Sequence, residues 1–160
     1  MANLRRIWED KQITMNTKIA LVRSLVFSIF SYGVETWTIK ATDRRRIDAF
    51  EMWCWRRMLG IPWTARRTNV SILKELNITD RLSTICRRRV LQYFGHITRR
   101  NQDNLEKLIV QGKVEGKRPR GRSPSRWLDQ IKDITGQPLQ KNLREAEDRH
   151  CWKTVVRHCT

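Results

Sequence analysis

Acidic residues are what this chain lacks most: 16 Asp and Glu stand against 33 Lys and Arg, leaving a net charge of +17 over 160 residues. Solubility needs far less, and a field of one sign on this scale implies a polyanionic partner. Long hydrophobic runs are missing as well. The longest uncharged apolar stretch, Ser24 to Val34, is 11 residues, about half of the ~20 that span a bilayer, so no membrane partner is expected. Cysteine is sparse and unpatterned. Cys54, Cys86, Cys151 and Cys159 contain no C-x-x-C, and with no signal peptide ahead of them they read as reduced thiols of an intracellular protein, nuclear or cytoplasmic. Also missing are the phosphate loop G-x-x-x-x-G-K-[ST], the nucleophile elbow G-x-S-x-G, the zinc motif H-E-x-x-H and any adjacent Asp-Asp pair. No catalytic residue, metal site or cofactor is therefore expected.

What is present is enough apolar surface for a core. Hydrophobic residues make up 39% of the chain and seven of them are Trp, too much for a disordered basic tail. Their spacing is helical throughout, which predicts an all-α fold, an irregular bundle carrying a basic loop. From Met15 to Tyr32 the positions Ile19, Val22, Val26, Ile29 and Phe30, widened by Leu21, Leu25 and Phe27, cover most of a helix circumference. That helix is expected at the centre. After Gly33, Thr42 or Asp43 can cap a second helix to about Leu59, with Ile47, Phe50, Cys54 and Met58 inward and Met52, Trp53 and Trp55 beyond that line. If both its faces are buried, Trp53 is a core residue. Glu35, between an apolar helix and Trp37, is expected to be partly buried and paired with Arg44, Arg45, Arg56 or Arg57. Thr68 can cap a short helix through Leu76, and Thr79 to Thr98 is expected as a helix with Leu82, Cys86, Val90, Tyr93 and Ile97 inward.

Opposite that inward face, Arg81, Arg88, Gln92 and Arg99 fall within about 40° of one another at 100° per residue, a guanidinium stripe with no carboxylate after Asp80. A second cationic feature follows at Gly116 to Arg126, GKRPRGRSPSR, where Lys117, Arg118, Arg120, Arg122 and Arg126 are five cations without an acid. Pro119, Gly121 and Pro124 keep this backbone extended. Pro119 to Arg122 is similar to an AT-hook, although Ser123 stands before Pro124; a generic phosphate-binding loop and a solvated loop are the other readings. Ser123 with Pro124 also reads as the start of a helix bearing Trp127, Leu128 and Ile131. The last segment, Leu139 to Cys159, reads as helix with a break near Asp148 and an inward line Trp152, Val155, Val156, Cys159. His150-Cys151 and His158-Cys159 suggest a metal but stand eight residues apart on one helix, where zinc takes ligands from loops or at i, i+4, and no further Cys or His cluster lies near; Asp129 and Asp133, at i, i+4, have a spacing that a divalent ion can use.

The blocks Thr17-Lys18-Ile19, Ser31-Tyr32-Gly33-Val34-Glu35-Thr36-Trp37, Ala49-Phe50-Glu51-Met52-Trp53-Cys54-Trp55-Arg56-Arg57-Met58-Leu59 and Ile61-Pro62-Trp63 resemble the segment after the polymerase palm in non-LTR (LINE-type) retrotransposon reverse transcriptases. Arg89-x-Leu91-x-Tyr93-Phe94-Gly95-His96, the Gly116–Pro124 run, Arg126-Trp127 and Ala146-Glu147-Asp148-Arg149 with Trp152 resemble that family's C-terminal basic region. Cys151 departs from it. The resemblance implies a thumb-like helical region over 1–77 and a basic helical nucleic-acid-binding region over 78–160. It implies structural roles for Tyr32, Gly33, Glu35, Trp37, Trp53, Trp55, Trp63, Trp127 and Trp152. It further implies a non-catalytic grip on RNA, DNA or an RNA–DNA hybrid, partnered by the element's missing upstream palm. A stand-alone DNA- or RNA-binding protein derived from such an element is the alternative, and a structural ribonucleoprotein component is a third.

Overall fold

The computed structural model describes residues 4–62, 64–111 and 125–159. Among them every regular element is helical and no strand occurs, in keeping with the expected all-α class. The elements are α1 (Arg5–Glu9), α2 (Met15–Leu21), a π-helical stretch (Val22–Phe27), α3 (Ser28–Phe30), a 3-10 turn (Val34–Thr36) and α4 (Ala41–Leu59). There follow α5 (Asn69–Glu75), α6 (Leu82–Thr98), α7 (Leu105–Gln111), α8 (Trp127–Thr135), α9 (Leu139–Glu147) and α10 (Arg149–His158). Two compact units result. One takes Met1–Tyr32 and Ala41–Ile85, the other Gly33–Lys40 and Cys86–Thr160.

The first unit is organised by aromatic contact between the α2–α3 run and α4. Phe27 meets Trp55 edge-on at 5.2 Å, and Phe30 stacks on Phe50 at 4.8 Å. Trp55 is fully buried and Phe27 nearly so. Ser24 in the π-helical stretch and Ser28 just after it turn their hydroxyls back on the helix, Ser24 Oγ donating to the Leu21 carbonyl and Ser28 Oγ to that of Ser24. Such back-bonding competes with the regular ladder. The expected burial around most of the circumference of this run does not occur: Leu25 and Ile29 are exposed, and Tyr32 is 87% exposed. Trp53 is 52% exposed too, stacked on Phe50 at 6.3 Å. Two residues on one helix point inward only if their angular separation permits it, and with Trp55 inside, Trp53, 200° away, must face out. Trp53→Ala is therefore expected to cost about 1–2 kcal/mol, against about 3–5 for Trp55→Ala. Chemical denaturation of the two variants checks this, and equal losses would contradict it.

Caps set the smaller elements. Thr68 Oγ1 accepts from Ser71 N–H at 3.2 Å and starts α5 as expected. The chain then leaves through Asn77, at φ 51°, and α6 begins at Leu82, the first residue of its apolar line and three residues after the expected Thr79. α1 was not legible as a helix, being five residues long. It is tied down by Lys18, whose buried Nζ donates to the carbonyls of Trp8 and Asp10, both at 2.8 Å.

In the second unit Val90, Leu91, Phe94, Ile131, Ala146, Trp152 and Val156 form the core. Phe94 is central, with Trp152 at 5.3 Å and Trp127 at 6.3 Å; Tyr93, only half-buried, meets Trp127 edge-on. α9 and α10 are separated at Asp148 as expected, and its carboxylate accepts from the N–H groups of His150 and Cys151 at 2.7 and 3.3 Å. Those bonds hold its pKa below the usual carboxylate range. Because the folded value lies below the unfolded one, the ionised carboxylate stabilises the fold above the unfolded pKa, and that stabilisation is lost as pH falls through the lowered folded value. Asp148→Asn keeps an acceptor at the cap without the charge. It is expected to flatten the acid side of a plot of melting temperature against pH; an unchanged acid limb would contradict this.

Candidate nucleic-acid interface

Of the expected phosphate contacts, Lys117, Arg118, Arg120 and Arg122 lie outside the described residues, as does Trp63 among the structural ones. Arg126 is described and exposed, in the N-cap position of α8. Helix α8 starts at Trp127, and the start expected at Ser123-Pro124 lies outside the described residues. The cap is local chemistry. Asp129, three residues on, accepts from the Arg126 N–H at 2.8 Å, satisfying one of the donors that a phosphate would otherwise take.

The stripe predicted along α6 separates into different environments. Arg81 precedes the helix and faces inward, its Nε donating to Glu51 Oε2 at 2.5 Å with Asp48 Oδ1 3.4 Å from Nη2. Glu51 is 1% exposed and also accepts from Trp55 Nε1 at 3.4 Å. A carboxylate so deep in a core needs a cation, and Arg81 supplies it. Arg88 is half-buried on α6. Arg99 donates from Nη1 to the Ala146 carbonyl at 2.7 Å, and burial followed by the neighbouring Arg149 charge lowers its pKa from the ordinary value.

Glu51 is the residue that sequence reasoning passed over. Its signal was present: it falls at i+4 from Ile47 and i−3 from Cys54, on the inward line of α4. Glu35, by contrast, was expected to need a cation, and among the described residues its carboxylate forms no ion pair. It is half-buried, and the fold uses its backbone instead: Trp127 Nε1 donates to the Glu35 carbonyl at 2.9 Å. Gln130 completes the arrangement, accepting from Ile39 N–H at 3.1 Å and donating to the Trp37 carbonyl at 2.7 Å. The Trp37 side chain is 40% exposed. Gly33 stands at φ 65°, a left-handed conformation that favours glycine.

Among the described residues no group of three or more His, Cys, Asp or Glu is placed to hold a metal, and Asp129 has Lys132 at 3.7 Å. Cys54 is fully buried, and burial pushes its thiol up to about 12. Cys151 is exposed and Cys159 half-buried. Among the described residues no helix is long and apolar enough to cross a membrane.

With the geometry cationic, the comparison with known proteins adds an origin. The chain is similar to a transposon-derived protein. It is 27% identical over 161 residues to an uncharacterized transposon-derived protein of Caenorhabditis elegans, a match covering 94% of this chain and 56% of the relative. The chain thus spans little more than half the length of that relative. The similarity points to descent from a transposable element. No family model matches the chain, and no solved structure matches it.

Proposed function

We propose that the chain is a non-catalytic nucleic-acid-binding part of a non-LTR retrotransposon reverse transcriptase, gripping template and primer through phosphates. The observation that carries this reading is the run Gly116 to Arg126, five cations without an acid in a chain of net charge +17. The transposon-derived relative supports the same direction. In this reading Lys117, Arg118, Arg120, Arg122 and Arg126 clamp the backbone, joined by Arg88 and Arg99 of α6, while Arg81 stays with Glu51 and Asp48. Contacts to phosphate position a nucleic acid without reading its bases. A stand-alone DNA- or RNA-binding protein derived from the element would use the same residues in the same way.

Binding of the purified chain to duplex DNA, single-stranded RNA and an RNA–DNA hybrid over a salt series tests the proposal. With about six phosphates neutralised, log affinity is expected to fall against log salt with a slope of about −5 on duplex DNA and about −4 on single strands. A slope near zero, or no binding at low salt, would rule out a phosphate grip.

A further inference from the structure

On the outward side of α4, Trp53 is 52% exposed, and its indole is the outermost ring of a stack. Phe30 lies on Phe50 at 4.8 Å with 23° between the planes, and Phe50 on Trp53 at 6.3 Å with 20°. Phe30 and Phe50 are half-buried, so the stack starts in the packing of the first unit and ends in water. The inner rings hold the outer one in a fixed orientation, which lowers the entropy lost when something docks on it.

Cations frame the indole. At 100° and 1.5 Å per residue, Arg46 falls within about 20° of Trp53 and about 10 Å toward the start of the helix. Arg57 falls within about 40° and about 6 Å toward its end. Both are exposed, the Arg46 side chain at 84%. Ala49, exposed on the same face, is too small to cover the ring. The carboxylates of α4 take little from this field. Glu51 is buried and, with Asp48, faces Arg81. Asp43 lies 3.7 Å from Arg46 in a pair open to solvent, where water screens the attraction.

An occupant of this face has to bring a flat apolar surface for the indole and negative charge to either side of it. An apolar protein surface brings the first without the second, and a duplex keeps its base faces inside its own stack. An unpaired nucleotide brings both, since every base has a π-face and a phosphate follows on each side. We propose that Trp53 is a stacking platform for an unpaired base of single-stranded nucleic acid, with Arg46 and Arg57 taking the flanking phosphates. The proposal rests on the reading of the chain as nucleic-acid-binding and adds to it a site in the first unit and a preference for exposed bases.

The test measures the affinity of the full 160-residue chain for a single-stranded oligonucleotide, an abasic strand with the same number of phosphates, and a duplex of equal length. The parent is expected to bind the abasic strand about tenfold more weakly than the intact one, the size of one base on an aromatic ring. Trp53→Leu should weaken the intact strand about tenfold and leave the abasic strand and the duplex within about twofold. Its salt slope should not change, because an indole neutralises no phosphate. Trp53→Phe, which keeps a ring, should recover part of the loss. Arg46→Gln with Arg57→Gln should lower the single-strand slope by about 1–1.5 units. Equal affinity of the parent for intact and abasic strands overturns the proposal without any variant having to fold. Unchanged single-strand affinity in Trp53→Leu overturns it as well, and a Trp53-dependent dimer in sedimentation would then give the face to a second copy. A steep salt slope retained in either case leaves the phosphate grip standing, whereas a chain that binds no nucleic acid at low salt overturns both.

Discussion

Replacing Arg118, Arg120 and Arg122 together with alanine is expected to flatten the salt dependence of duplex binding by about 2–3 units in the slope of log affinity against log salt. Each cation that neutralises a phosphate releases counterions, and the slope counts those contacts whatever the base sequence. Three of the five cations in Gly116–Arg126 are removed at once, and no carboxylate in that run is left to compensate or compete. The loss should be alike for duplexes of equal length and different sequence. A loss confined to A·T-rich duplex would instead favour the AT-hook-like reading of Pro119 to Arg122, with arginines in the minor groove. Unchanged affinity and slope would take the loop out of the interface and leave the α6 arginines and Arg126.

The second large effect concerns Gly95. A Cβ there would lie 2.3 Å from Trp152 Cδ1 and 2.5 Å from its Nε1, so Gly95→Ala requires the indole to move. Moving it breaks the buried hydrogen bond from Trp152 Nε1 to the Leu91 carbonyl, 2.8 Å long, and disturbs the contact with Phe94. Overpacking and a lost buried hydrogen bond together put the cost at about 3–5 kcal/mol, comparable with the ~3–5 of Trp152→Ala. The two changes act on one contact. Their combination should therefore cost clearly less than the sum, because without the indole a methyl group at position 95 has room. Urea denaturation of both single variants and the double variant measures this. A Gly95→Ala variant as stable as the parent would mean that the indole does not sit over the glycine.

This contact also gives a physical reason why two separated blocks belong together. Phe94-Gly95-His96 and Trp152 stand far apart in the chain, and nothing in the local spacing says that one fills the space left by the other. What was legible was local: the periodicity of α2 and α4, the Thr68 cap and the break at Asp148 each depend on residues within a turn or two. Ion pairs across long separations were not. Arg81 looked like part of an outward stripe because periodicity assigns a face, and it takes the partner, Glu51, to say whether that face meets solvent or a buried acid. The short helices α1 and α7 escaped notice for another reason. At five and seven residues they hold few apolar positions from which to read a helical period, and α5, equally short, was legible through its Thr68 cap. Within the candidate interface, composition identified the basic run.

The bonds that Gln130 makes to Trp37 and Ile39 span 93 and 91 residues. During synthesis, Gly33–Lys40 emerges long before the helix that completes its hydrogen bonding, and at about 5–20 residues per second the wait lasts several seconds or more. Throughout that interval the Trp37 carbonyl and the Ile39 amide must be served by water or by a temporary partner. Any shortened version of the chain that stops before α8 leaves them so permanently. The segment then joins Tyr32 to Ala41 in the chain with nowhere of its own to dock.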